Sequence, residues 1–331
     1  MKIITIEEHI TDPKLDGAVR KYLMKDAPYY GLTLGKDLPY YPDFNLYADM
    51  GELRIEDMDR NGIDMQVISC PAQTGMLLPE EAVPLTREVN DRMATAVAEH
   101  PDRFAAFASL PWTDPQAAAG ELERAVTCLG MKGALLAGRP SREAVFLDAP
   151  EFSPVLEMAE KLKVPVYVHP GCPVPAVQEA YYARLDPEVS ARLSIFSWGW
   201  HNEAGVQVIR MILAGVFERY PSLQVISGHW GELVPFFLSR LDQALPQKVS
   251  GLSHTITETY AQNVYVTPSG ILTYPQLQFM IQVIGAERII YSVDFPLVGN
   301  EGARMFIENA PVSEADKEKI AHGNVQKLLG I

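Results

Sequence analysis

The 331-residue chain is poor in cysteine, has no long apolar run and carries no excess of positive charge. Its three cysteines, Cys70, Cys128 and Cys172, show no paired spacing. That excludes a disulfide framework or a cysteine zinc knot and suits free thiols in a reducing cytosol. No run of about 18 or more apolar residues occurs, so no membrane span is expected. No basic region followed by an apolar stretch and a cleavage site is visible near Met1, so a cytoplasmic location is expected. Lysine and arginine number 28 against 42 aspartates and glutamates, a net charge of −14. This balance argues against nucleic acid and anionic membranes as partners. It leaves room for a small acidic substrate, because a metal ion and one arginine make a local positive site. No Gly-x-Gly-x-x-Gly follows the first apolar run, which counts against a dinucleotide fold. Repeats, low-complexity segments and linkers are absent as well, so residues 1–331 read as one domain.

What is present begins with the first ten residues, an apolar run ending in Glu7-Glu8-His9. In a strand, side chains alternate between faces. Glu7 and His9 are therefore expected on one side of a buried strand's end, and Glu8 on the other. A long irregular stretch follows over 11–50, rich in Pro, Gly and Tyr (Pro13, Pro28, Tyr29, Tyr30, Pro39, Tyr40, Tyr41, Pro42). Loops of this length usually serve as a lid or an oligomer arm.

From residue 51 a regular alternation sets in. Helices are expected at Glu52–Gly62, Leu85–His100, Pro115–Leu129, Ser153–Lys163, Glu203–Phe217, Glu232–Leu245, Tyr274–Ile284 and from Ser313 to His322. Between them lie short β-rich runs at Met65–Cys70, Phe104–Leu110, Gly133–Gly138, Val164–His169, Leu223–His229, Val264–Thr267 and Ile289–Asp294. Residues 171–198 read as a second long loop. With the first strand, this makes about eight β-α units, the pattern of a parallel (β/α)₈ TIM barrel.

In such barrels the chemistry sits where strands end. Three of the seven histidines, His9, His169 and His229, fall at expected strand C-termini, with Glu7 and Asp294 beside them. Glu7, His9, His169 and Asp294 supply two carboxylates and two imidazoles to one divalent ion, with open positions for water or substrate. The mixed nitrogen and oxygen set suits Zn²⁺ or Mn²⁺. The fourth strand has no lysine or carboxylate to bridge a second ion, so one metal per subunit is expected. His229 is left for acid/base work. Glu232, three residues on, can either hold one of its ring nitrogens or complement the dipole of the following helix.

Glu-x-His on the first strand, His169-Pro170, Gly228-His-Trp-Gly-Glu232 and Ser292-Val-Asp294-Phe-Pro296 resemble the amidohydrolase-related metal-dependent decarboxylases. Arg54-Ile-Glu-Asp-Met-Asp59, His100-Pro-Asp-Arg-Phe104 and Gly323-Asn-Val-Gln-Lys327 carry the same likeness over nearly the whole chain. The resemblance implies that Glu7, His9, His169 and Asp294 are the metal ligands, with His229 and Glu232 beside them. It further implies that Arg240 reaches a neighbouring subunit's site and binds the substrate carboxylate, as a planar guanidinium does well. A homodimer or homotetramer is expected on that ground. Two departures concern substrate: residues 21–50 contain no arginine, which points to a single carboxylate, and Leu297 stands where some members have an aromatic residue.

The function implied is non-oxidative decarboxylation of a hydroxylated aromatic or related unsaturated acid. A metal would act as Lewis acid and template. Asp294 would protonate the ring carbon, with His229 and Glu232 assisting. Tyr29, Tyr30, Trp198 and Phe295 are candidate walls for the ring. The alternatives are hydrolysis or hydration at the same site, which Glu-x-His in place of His-x-His disfavours, and a non-catalytic ligand-binding barrel.

Overall fold

The computed structural model describes residues 1–27, 29–33 and 44–331. The strands fall close to where the apolar runs place them. They are β1 (Ile4–His9), β2 (Met65–Ser69), β3 (Phe104–Ala106, resuming at Ala108–Ser109), β4 (Ala134–Ala137), β5 (Val166–His169), β6 (Val225–Ser227) and β7 (Val264–Val266). Every pairing is parallel, and each strand lies beside its successor. Around Phe107 the third strand serves both neighbours: Phe107 N–H donates to the Ile68 carbonyl at 3.0 Å, and Ala108 N–H to that of Gly133 at 2.8 Å.

The eighth strand expected at Ile289–Asp294 is reduced to bridges. Residues 289–292 pair in parallel with Val266 on one side and Ile6 on the other. Ile290 N–H donates to Val266 at 2.9 Å, and Ile6 N–H to Tyr291 at 3.0 Å. These bonds close the ring into a barrel. The segment gains no longer ladder because its next donors go elsewhere: Val293 N–H and Phe295 N–H donate to the two oxygens of Glu8, at 3.0 and 3.1 Å.

The interior is filled by Ile4, Ile6, Val67, Phe107, Tyr167, Ile226 and Ile290, with Val325 and Leu329 of the last helix (Asn324–Leu329) packed into the same cluster. A second, larger cluster lies between the strands and the helices around them.

Two stretches read as loops carry helices. Within 11–50, Pro13–Asp26 is a 14-residue helix, its start capped by the Asp12 carboxylate, which accepts from Lys14 N–H and Leu15 N–H. Asp-Pro at a helix start is a legible signal that the surrounding prolines and tyrosines obscure. Tyr30–Thr33 and Phe44–Ala48 are short helices. Pro28, Pro39, Tyr40, Tyr41 and Pro42 lie outside the described residues. Residues 171–198 hold further short turns, among them Pro187–Arg192, and the helix expected at Glu203–Phe217 instead spans Gly199–Leu213. That region is amphipathic over runs too short for a periodicity to show.

Arg54, on the helix Glu52–Asn61, is fully buried and ties this frame together. Its guanidinium donates to the His9 carbonyl at 2.6 Å, the Asp49 carbonyl at 2.9 Å and the Gln66 side chain at 3.1 Å, and packs over the Phe295 ring at 5.0 Å. Replacing it leaves these acceptors unpaired in the core. Arg54→Ala is expected to cost about 3–5 kcal/mol, measured as a lower urea midpoint at unchanged m-value; a loss under about 1 kcal/mol would contradict this role.

Candidate metal centre

β1 delivers its two ligands through an irregularity. Ile4 and Ile6 face the barrel interior, so strict alternation would send Glu7 outwards with Thr5. Instead the register slips between Ile6 and Glu8: Ile6 pairs with Val67, Glu8 with Ile68, and Glu7 is an extra residue at φ 66°. This bulge turns Glu7 inwards, sends Glu8 outwards to the 293–295 backbone, and returns His9 to the interior. Glu7 and His9 therefore share a side as the sequence suggests, for a reason that alternation alone does not supply.

Glu7, His9, His169 and Asp294 are all buried, and their ligand atoms lie within 4.8 Å of one another. His9 Nε2 stands 3.1 Å from Asp294 Oδ1, and His169 Nε2 stands 3.6 Å from Glu7 Oε1. Each group is fixed on its far side. Glu7 Oε2 accepts from the hydroxyls of Tyr167, Ser269 and Thr267. His9 Nδ1 meets Ser69 Oγ at 3.1 Å. His169 Nδ1 lies 2.8 Å from the Pro170 carbonyl, which can only accept, so the proton is on Nδ1 and the Nε2 lone pair is free. Burial and the neighbouring His9 and His229 rings hold His169 well below the usual histidine range, which keeps it neutral. Burial lifts Glu7 above the usual carboxylate range, against the opposing pull of His229.

The near sides of this ring are unsatisfied. Glu7 Oε1, His9 Nε2 and Asp294 Oδ1 are buried and have no hydrogen-bond partner. Buried polar atoms without partners are costly. Three of them at one focus, from carboxylates and imidazoles, fit a divalent ion. Gly228, next to His229, keeps the space clear: a Cβ there would stand 3.0 Å from Glu7 Oε1.

Beside this focus, β6 ends in a left-handed run, His229 at φ 46°, Trp230 at 59°, Gly231 at 76° and Glu232 at 52°. Such backbone is unfavourable for non-glycine residues and persists only where surroundings enforce it. Here His229 N–H donates to Ser269 Oγ at 2.9 Å, Trp230 N–H to the Thr267 carbonyl at 2.7 Å, and the Trp230 indole to Ile271 at 2.8 Å. The turn swings Glu232 back onto His229, with Oε1 2.7 Å from Nδ1. Of the two roles open to Glu232, it takes the first. Its other oxygen meets His201 Nδ1 at 2.8 Å. His201 carries no strand-end or spacing signal, and sequence reasoning misses it.

A cavity of about 470 Å³ opens beside His169. Asp16 and Arg20 of the Pro13–Asp26 helix, Tyr30, Tyr47, Trp200 and Leu297 are among its walls. Tyr30 and Leu297 thus lie at the cavity as expected, whereas Tyr29 and Trp198 do not line it. Trp198 is exposed, and Trp200, two residues on, takes the wall position because the helix begins at Gly199. Phe295 is buried over Arg54, outside the cavity lining. Arg20 falls one residue before the arginine-free window, so the cavity has a guanidinium after all. Arg240 is exposed on the helix Val234–Ala244 and is not among the cavity residues.

A closed parallel barrel whose strand ends gather a buried Glu, two His and an Asp defines a metal-dependent barrel enzyme of the amidohydrolase type. The comparisons agree: the Amidohydrolase family model matches residues 46–331, and the chain belongs to that family. It is 34% identical to a gamma-resorcylate decarboxylase of Polaromonas sp., over 98% of each chain. It also resembles the crystal structure of 5-carboxyvanillate decarboxylase from Sphingomonas paucimobilis, with a TM-score of 0.88 and 31% identity over 100% of this chain and 99% of that one. A dihydroxybenzoic acid decarboxylase from Polaromonas sp., solved with bound manganese and the inhibitor 2-nitroresorcinol, aligns with a TM-score of 0.87 and 32% identity over 99% and 97%.

Two outcomes test the centre. Elemental analysis should find about one divalent ion per chain in the wild type and little in His169→Ala, since three remaining ligands hold the ion weakly; equal content in both would remove His169 from the site. The second outcome concerns pH. In metal-free protein, burial pulls the His229 imidazole down, but Glu232, Glu7 and Asp294 together outweigh it and push it up to about 10. A raised value means that its stabilising effect is complete below the ordinary value of 6.5 and is lost as pH rises through about 10. Chelated wild type should therefore lose more stability than chelated His229→Gln between these limits in urea titrations; parallel curves would contradict the assignment.

Proposed function

We propose that this chain is a metal-dependent, non-oxidative decarboxylase of a hydroxylated aromatic acid. The observation that carries the reading is the trio of unpartnered ligand atoms beside a cavity with aromatic walls. The substrates for which the relatives are named support it: resorcylate, carboxyvanillate and dihydroxybenzoate. Glu7, His9, His169 and Asp294 would hold one ion, Mn²⁺ or Zn²⁺; manganese in the related structures favours the first. When bound, that ion supplies Lewis-acid stabilisation of negative charge and a template for carboxylate and adjacent hydroxyl.

The chain's own groups then account for the proton steps. His229, held through Nδ1 by Glu232, presents Nε2 to the substrate and takes the proton of the ring hydroxyl. Asp294 gives a proton to the ring carbon that bears the carboxylate. The C–C bond then breaks, its electron pair restores the aromatic ring, and CO₂ leaves. The product oxygen recovers its proton from His229, and Asp294 is reprotonated from water. Trp200, Tyr30 and Leu297 confine the ring, while Arg20 offers charge to a substituent at the cavity wall.

The chain would act in the cytoplasm, in keeping with its three free cysteines. No helix among the described residues is long and apolar enough to cross a membrane. A homodimer or homotetramer is part of the reading. Arg240 is exposed near Phe236 and Phe237, themselves 69% and 50% exposed on the same helix, so a neighbouring subunit covering them would receive its guanidinium. The segment 11–50 would contribute as lid or arm.

The test is CO₂ release from a panel of mono- and dihydroxybenzoates by metal-loaded protein. Release by the wild type, reduced roughly 10²-fold or more in Asp294→Asn, is expected for loss of a proton donor. Product heavier by one water, with no CO₂, would replace this reading with hydrolysis or hydration.

A further inference from the structure

We propose that His201 is a positioning residue for the reaction, one imidazole that sets both the acid/base pair and the cavity wall; the proposal rests on the decarboxylase reading above. The Glu232 carboxylate is buried and bridges two rings, with Oε1 at 2.7 Å from His229 Nδ1 and Oε2 at 2.8 Å from His201 Nδ1. A carboxylate with one oxygen held can still pivot about its terminal bond, which is broad and roughly two-fold. With both oxygens held it cannot, and the His229 ring inherits that rigidity. A carboxylate holding its charge only accepts, so His201 Nδ1 carries the proton. The two imidazoles keep the Glu232 carboxyl below its usual range although burial opposes them, so the charged form is the one present.

The other nitrogen then has a fixed role. In its Nδ1–H form His201 has a lone pair on Nε2, to which the Trp200 indole N–H donates at 3.2 Å. The Phe196 carbonyl lies 3.0 Å from the same nitrogen and would take the bond only if the ring were doubly protonated. Through Nε2 His201 thus meets Trp200, which lines the cavity and stands 6.3 Å from the His169 ring, centroid to centroid. Charged groups facing His201 are Glu232 and His229 from the β6 turn; Glu203 is engaged with Arg139.

The helix is built to reach this place. Gly205, one turn beyond His201, sits so close to the β6 turn that a Cβ there would be 2.7 Å from the Glu232 carbonyl oxygen. A side chain at 205 would push the helix away and lift His201 off Glu232. The contact therefore depends on glycine at that position, and it brings two elements distant in sequence into one hydrogen-bonded line.

The experiment separates the two contacts. An asparagine amide occupies the place of Nδ1, and a glutamine amide that of Nε2. His201→Asn keeps the hold on Glu232 and frees Trp200, so KM is expected to rise with kcat nearly unchanged. His201→Gln keeps Trp200 and frees Glu232, so kcat is expected to fall with KM nearly unchanged. His201→Leu loses both, and kcat/KM should fall about 10–100-fold, the usual effect of removing a supporting partner. Imidazole ¹⁵N NMR of the zinc-loaded protein, without substrate, supplies the readout independent of turnover. Wild type should show both His201 and His229 as Nδ1–H, and His201→Leu should give His229 exchanging between ring protonation states at an unchanged zinc content. Kinetic constants within twofold of wild type in all three variants, with His229 unaltered in the spectrum, would overturn the proposal. If wild type releases no CO₂ while the spectra behave as expected, the decarboxylase reading fails and the positioning role stands.

Discussion

The site depends on a single extra residue in the first strand. Side chains in a strand alternate without exception unless the pairing slips, and the phase of β1 is fixed by Ile4 and Ile6 in the barrel interior. In that phase the only carboxylate pointing inwards would be Glu8. The bulge at Glu7 exchanges the two: Glu7 enters the site, and Glu8 is released to bind the backbone after residue 292. The same irregularity therefore brings Glu7 into the site and helps close the barrel. It also explains why the last strand is so short, because Glu8 takes the N–H groups that a longer ladder would use.

A second constraint is electrostatic. Two carboxylates and two imidazoles have been withdrawn from water, with the inner atoms of Glu7, His9 and Asp294 unpaired, and an isolated buried charge is among the most costly features a fold can carry. The surrounding hydroxyls of Tyr167, Thr267 and Ser269 satisfy the outer oxygen of Glu7 and leave the inner one bare. Left-handed backbone at Glu7, His229, Glu232, Ser269 and Asp294 adds local strain at the same strand ends. A dication held by such a cluster would therefore also stabilise the fold.

Much of this was legible before any coordinates. Short β-rich runs alternating with amphipathic helices gave the barrel, and strand-end histidines and carboxylates gave the four inner residues, because both signals are local. What escaped depends on relations between distant segments. His201 lies 28 residues before its link to His229 through Glu232, in a stretch without clear period, and only packing of the helix at Gly205 brings it there. Trp200 escapes because the expected helix starts at Glu203, whereas the helix in fact begins at Gly199. Arg20 lies one residue before the arginine-free stretch 21–50, on a helix whose Asp-Pro start is hidden among prolines and tyrosines. Phe295 follows Asp294 in the chain but turns to cover Arg54, which no pattern of hydrophobicity foretells.

The helix Pro13–Asp26 carries one further meaning. Its Asp16 and Arg20 face the cavity, Leu15, Val19 and Leu23 pack into the core, and side-chain pairs fix its edges, Asp12 with Arg92, Tyr22 with Glu81 and Asp26 with Arg142. None of the four inner residues lies on it: Glu7, His9 and His169 sit at the ends of strands, and Asp294 just beyond the bridged segment 289–292. Part of the cavity wall and the four inner residues thus sit on separate elements of one chain. A change at Arg20, which is exposed at that wall, can therefore reshape the cavity without disturbing the centre beneath it.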